Sequence, residues 1–167
     1  MNTPVKEKTS LNEVITPDEL LVHWQGHRGL TRKVIEAFPE KEFFDYRIGG
    51  MRTFAEMIME LLGIAGPGIR ELATRKQAEL DEKVEHGNNK AVILRLWDET
   101  TDVIDTFWED IPKERFHDTV KAFGQYDGTV ISTLFYFIDN EIHHRGQGYV
   151  YLRSLGIEPP AFWDRPF

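Results

Sequence analysis

The chain has 167 residues, no cysteine and a net charge of -8, with 28 acidic side chains against 20 basic ones. The missing cysteines remove disulfides, thiolate metal sites and a cysteine nucleophile together, and the acidic balance argues against a general nucleic-acid binder, which carries a basic face. One domain of this length builds a full core. With no N-terminal leader pattern and no apolar run near the roughly 18 residues that span a bilayer, the expectation is a soluble, cytoplasmic protein with no membrane partner.

In chain order, residues 1–16 are polar and read as a flexible N-terminal arm ahead of a single domain over 17–167. Thr16-Pro17-Asp18-Glu19 spells a helix start, with Thr as cap, Pro at the first helical position and Glu at the third. Leu20, Trp24, His27, Thr31, Val34 and Phe38 then follow at steps of three and four, which is one helical face. Pro39 limits that helix, and 41–50 reads as a loop closed by Gly49-Gly50. A second helix starts near Met51 or Arg52 and shows Phe54, Met57, Ile58, Leu61, Leu62 and Ile64 on its apolar side. Gly63, Gly66, Pro67 and Gly68 crowd its middle, which predicts either a kink or close packing on a neighbour before the helix resumes toward Lys76.

His86-Gly87-Asn88-Asn89 caps a third helix carrying Val92, Ile93, Leu96, Trp97, Thr100, Val103, Ile104 and Phe107, and Pro112 marks its end. A connection anchored by Phe116, Val120 and Phe123 reaches Tyr126-Asp127-Gly128 with no convincing strand pair. The fourth helix runs over 129–154, with Gly156 as its C-cap and Pro159-Pro160 as a stop. Four long amphipathic helices and no repeat predict an all-α fold, a four-helix bundle whose core houses any metal or ligand site.

The candidate chemistry concentrates in the fourth helix, where Asp139, Asn140, Glu141, His143, His144, Arg145 and Gln147 crowd nine residues between two apolar runs. Asn140 and His144 lie four apart and share a face, Glu141 nearly aligns with His144, and His143 is rotated by about 100 degrees onto another side. An imidazole with an amide or carboxylate one turn earlier suits a borderline divalent ion such as zinc or nickel. The plainer reading stands beside it: a helical histidine that is a hydrogen-bonded core residue, Arg145 paired with a carboxylate of another helix, and Gln147 as a hydrogen-bond clamp. Glu60 is a carboxylate inside an apolar stretch and His27 falls on the apolar stripe of the first helix, so both are candidates for burial, whereas His23, His86 and His117 read as surface residues. Phosphate loops, nucleophile elbows, His-Glu-x-x-His pairs and duplicated Glu-x-x-His pairs are missing.

His143-His144-Arg145-Gly146-Gln147, with Tyr151-Leu152-Arg153, Leu155-Gly156 and Pro159-Pro160 after it, resembles the end of the DinB/YfiT-like family, and Met51-Arg52-Thr53-Phe54 resembles the start of its second helix. The resemblance covers about residues 17 to 160 and implies a DinB/YfiT-type four-helix bundle, a homodimer, and in many members one zinc or nickel ion on three histidines. The last of those histidines falls on His144, its partner one turn earlier on Asn140, and the second-helix histidine on Glu60. What the resemblance then implies is a metal-dependent thiol transferase or hydrolase with an altered Glu60, Asn140 and His144 metal site. Glu141 or His27 would act as a base, and the substrate would be a small molecule such as a low-molecular-weight thiol. The alternative is a non-catalytic stress-response or binding protein in which the three form a metal-free hydrogen-bond network. A third reading, acid/base catalysis by Glu60 and His144 alone, requires an open pocket beside them.

Overall fold

The structure, a computed structural model, describes residues 14–80 and 84–165. The expected arm at 1–16 lies almost wholly outside those residues. Its junction with the domain is described: Thr16 accepts from the Glu19 backbone N–H while the Glu19 carboxylate accepts from the Thr16 backbone N–H. This reciprocal cap starts α1 (Pro17–Ala37). Thr53 and Glu56 make the same box at the start of α3 (Phe54–Thr74). Asn89 caps α4 (Lys90–Trp108), and Thr129 with Ser132 caps α5 (Val130–Ser154). Each cap satisfies backbone donors that the first helical turn leaves without partners.

α1 and α3 each pack against both α4 and α5, so the four long helices form the expected bundle with α1 and α3 at opposite corners. α3 runs unbroken through Pro67, and Gly68 next to it serves close packing. A Cβ on Gly68 would stand 2.4 Å from the Phe137 ring of α5, and one on Gly148 of α5 would stand 2.5 Å from the Phe54 ring of α3. Each glycine therefore receives an aromatic ring from the facing helix.

Two segments differ from expectation. Residues expected as a loop form a short helix, α2 (Glu40–Asp45), whose Phe43 is fully buried against Phe38 and Phe54. Pro39 precedes it and two glutamates lie in its first turn, both favourable at a helix start. The connection before α5 is a 3-10 turn (Lys113–His117) followed by an antiparallel hairpin of β1 (Thr119–Ala122) and β2 (Tyr126–Thr129). Thr119 pairs with Thr129 and Ala122 with Tyr126, so residues 123–125 make the turn. Phe123 holds a left-handed φ of 54°, and its N–H bonds both oxygens of Glu71 on α3 at 3.0 and 3.1 Å. The hairpin lies over the α3–α5 side of the bundle.

The core has two parts. One gathers Leu20, Trp24, Ile69, Trp108, Phe123, Leu134 and Phe137; the other gathers Val34, Phe38, Phe54, Ile58, Trp97 and Tyr151. Between them, α1 contributes His27, Arg28 and Thr31 and α5 contributes Glu141, His144 and Arg145, all buried. A polar layer thus crosses the waist of the bundle.

Candidate functional site

α5 divides this layer in two. Asn140 and His144, four apart, face α3, while Glu141 and Arg145, one step further round the helix, face α1.

On the α3 side, Glu60, Asn140 and His144 do come together. Glu60 Oε1 accepts from Asn140 Nδ2 at 3.1 Å and lies 3.1 Å from His144 Nε2. Arg52, immediately before the cap of α3, donates through Nη2 to Glu60 Oε2. His144 Nδ1 stands 2.7 Å from Gln147 Oε1, the clamp expected of that glutamine, and fixes the ring orientation. Burial pushes the Glu60 carboxyl up, but the hydrogen bonds from Arg52, Asn140 and His144 and the charge of His144 outweigh it and hold the group below its usual range. Glu60 is therefore an anionic hub whose charge is met mainly by a guanidinium.

A divalent cation fits this donor set poorly. Among the described residues no three His, Cys, Asp or Glu side chains stand close enough to hold a metal ion. Asn140 is a weak, neutral ligand, and the one carboxylate, already shared with the Arg52 guanidinium, is too little negative charge for a divalent ion.

On the α1 side, Glu141 is 2% exposed and its Oε1 accepts from Thr31 Oγ1 at 2.6 Å. Arg28 Nη1 lies 3.7 Å from Glu141 Oε2, and the same guanidinium donates to Thr101 Oγ1 at 2.7 Å and the Trp97 carbonyl at 2.9 Å. Its Cζ also sits 3.9 Å over the Trp97 ring. Burial raises the Glu141 carboxyl, with Arg28, Thr31 and Arg145 working against it. Arg145 lies 3.9 Å from Glu141 on its own helix, not on a carboxylate of another helix as expected, and donates to the His27 carbonyl and to Thr31 Oγ1.

His27 Nδ1 is 2.8 Å from Arg145 Nη2, and Arg165 of the C-terminal segment reaches the same ring. Burial first, then the charges of Arg145, Arg165 and His23, lower His27 to about 3, so its ring is neutral and accepts from the guanidinium. His23, expected on the surface, is half-buried with its Nε2 3.2 Å from His27 Nε2. Glu141 and His27 thus belong to a buried layer that ties α1, α4 and α5, and the structure does not bring them to Glu60. His143, rotated onto another side of α5, is exposed.

Beside Glu60 opens a cleft of about 350 Å³ between α3, the hairpin and α5, walled by Ile64, Phe123, Tyr126, Tyr136 and Phe137 with Asp127 and Thr133 among its polar groups. The acid/base reading of Glu60 and His144 requires open space beside both, and this cleft is lined by Glu60 and not by His144. Arg52 and the cleft are what sequence reasoning missed. Arg52 precedes its helix, so no helical spacing links it to Glu60; the motif Met51-Arg52-Thr53-Phe54 was its one signal.

No curated protein matches the chain. Solved structures share its fold, two of them DinB-like proteins. A DinB-like protein from Bacillus cereus ATCC 10987 is 15% identical, with a TM-score of 0.72 over 87% of this chain and 97% of its own. A DinB-like protein from Bacillus subtilis is 17% identical, with a TM-score of 0.68 over 88% of this chain and 99% of its own. The model of the DinB family matches residues 1–165, and the chain belongs to that family.

Proposed function

We propose that this DinB family member binds a small molecule in the cleft beside Glu60 without a metal, and that Arg52 supplies part of the positive charge a divalent cation would otherwise bring to Glu60. The observation that carries this reading is the double position of Glu60, which is both the hub of the Arg52, Asn140 and His144 network and part of the cleft wall. A hub of this kind offers a ligand one fixed polar end in an otherwise largely apolar cleft, the usual make-up of a small-molecule site. The reading includes a homodimer, formed on the exposed face of α5.

One observation favours the other reading, a metal-dependent thiol transferase or hydrolase: Asn140 and His144 converge on the same carboxylate oxygen, each at 3.1 Å. Equilibrium dialysis against Zn2+ and Ni2+, followed by elemental analysis, separates the two. The wild-type chain is expected to retain only traces of either ion. The double variant Glu60→His, Asn140→His, which places three imidazoles together with His144, is expected to retain about one equivalent. Stoichiometric retention by the wild-type chain overturns the metal-free reading and leaves the metal-dependent one standing.

A further inference from the structure

The chemistry of the cleft walls narrows the kind of molecule it takes. Among the described residues, two carboxylates, Glu60 and Asp127, belong to the lining, and no lysine, arginine or histidine does. Arg52 and His144 meet Glu60 from outside that lining. A carboxylate accepts at about four lone-pair positions. Asn140 and His144 share Oε1 and Arg52 takes one position on Oε2, which leaves one acceptor position on Oε2 for a further donor.

Four aromatic side chains, Phe123, Tyr126, Tyr136 and Phe137, make up much of the remaining wall. Aromatic faces attract a cation and two carboxylates repel an anion, so both features select the same sign of charge. The Tyr136 hydroxyl is raised by burial and then by the negative charge of Glu60, which places that charge beside the aromatic wall. Phe123 is held in its left-handed conformation by the Glu71 carboxylate, so this part of the wall is fixed before any ligand arrives. A volume of about 350 Å³ lies at the small end of ligand sites.

We infer that the cleft takes an organic amine, its ammonium group at the free acceptor position of Glu60 and its aromatic or aliphatic body against Phe123, Tyr126 and Phe137. The inference rests on the reading of the cleft as a ligand site. Asp127, on the exposed hairpin, adds long-range attraction at the mouth.

Three probes of one shape and different charge test it by isothermal titration calorimetry near neutral pH: 2-phenylethylamine, 2-phenylethanol and 3-phenylpropionate. The amine is expected to bind at least about tenfold tighter than the alcohol, with the carboxylate weakest. Glu60→Gln is expected to bring the amine down to the affinity of the alcohol while the alcohol itself is unaffected. Circular dichroism checks the fold of that variant. If it does not fold, Asp127→Asn carries the test, with an expected loss for the amine of about two- to threefold that disappears at high salt. Alcohol or carboxylate binding as tightly as the amine overturns the inference and leaves the cleft reading intact. Amine affinity unchanged in every folded variant also overturns it. Failure of all three probes to bind overturns both.

Discussion

His27 shows how a single side chain ties the waist of the bundle to solution conditions. Its ring faces two guanidinium groups and a second imidazole, and it is lowered from 6.5 to about 3. The unfolded chain takes up this proton near pH 6.5, whereas the folded chain refuses it until about pH 3. The folded state therefore binds fewer protons across that window, and acidification favours unfolding. The contribution of His27 is complete above 6.5 and is lost as pH falls toward 3. His23, lowered by burial and by Arg165, acts in the same direction. Thermal melts at about pH 7.5 and about pH 5.5, above the range where solvent-exposed carboxylates titrate, are expected to show a smaller fall in Tm for His27→Gln than for the wild-type chain. Equal falls would detach His27 from the acid sensitivity.

The residues of this layer were unequally legible. The apolar stripe of α1 placed His27 inside, and the resemblance placed Glu60, Asn140 and His144 together. Neither showed that α5 would send Glu141 to a different helix from its neighbour Asn140. Arg28 gave no signal either, because a buried arginine depends on the Trp97 ring and the Thr101 hydroxyl of α4, both distant in sequence.

At the scale of elements, the long helices were readable because their starts carry a local chemistry: Thr16 with Glu19, Asn89, and Thr129 each bond the turn that follows them. α2 and the hairpin were not. α2 buries one residue, Phe43, so it has no period to detect, and each strand is four residues long with much of its side-chain surface exposed. Both exist because the bundle offers them a surface, the Phe38 and Phe54 rings for α2 and the Glu71 carboxylate for the hairpin turn. The crowded glycines of α3 left kink and close packing as alternatives, and at Gly68 the structure shows close packing on the Phe137 ring. Gly148→Ala tests the α3–α5 contact. Its methyl would stand 2.5 Å from the Phe54 ring, which is itself stacked on Phe38 and has little room to retreat. Overpacking of this kind costs about 1–3 kcal/mol, or roughly 2–12 °C in Tm for a chain of this size. Gly146→Ala is the control, since a Cβ there meets nothing within 4 Å. It is expected to hold or raise Tm, because alanine favours the helix by roughly 1 kcal/mol over glycine. A Gly148→Ala variant as stable as Gly146→Ala would mean that Phe54 moves aside freely.

The whole molecule leaves one long helix incompletely covered. Among the described residues, no helix is long and apolar enough to cross a membrane, so the apolar surface of α5 is not a spanning face. Phe135, Ile142 and Val150 are 40, 37 and 59% exposed, and they recur at spacings of seven and eight, which keeps them in one stripe. The stripe is about 22 Å long at 1.5 Å per residue. An apolar stripe of this kind suits a two-fold crossing with a copy of itself, because the same patch then serves both sides. The Asn140–His144 face of α5 points instead toward α3, so such a dimer leaves the Glu60 network and its cleft undisturbed. Sedimentation velocity is expected to show wild-type protein at twice the 19.5 kDa chain mass. Ile142→Asp with Val150→Asp is expected to yield a folded monomer at micromolar concentration, because each carboxylate would be buried against its symmetry mate without a partner. A wild-type chain that sediments at the mass of one copy removes the dimer, and a double variant that stays dimeric moves the interface to another face.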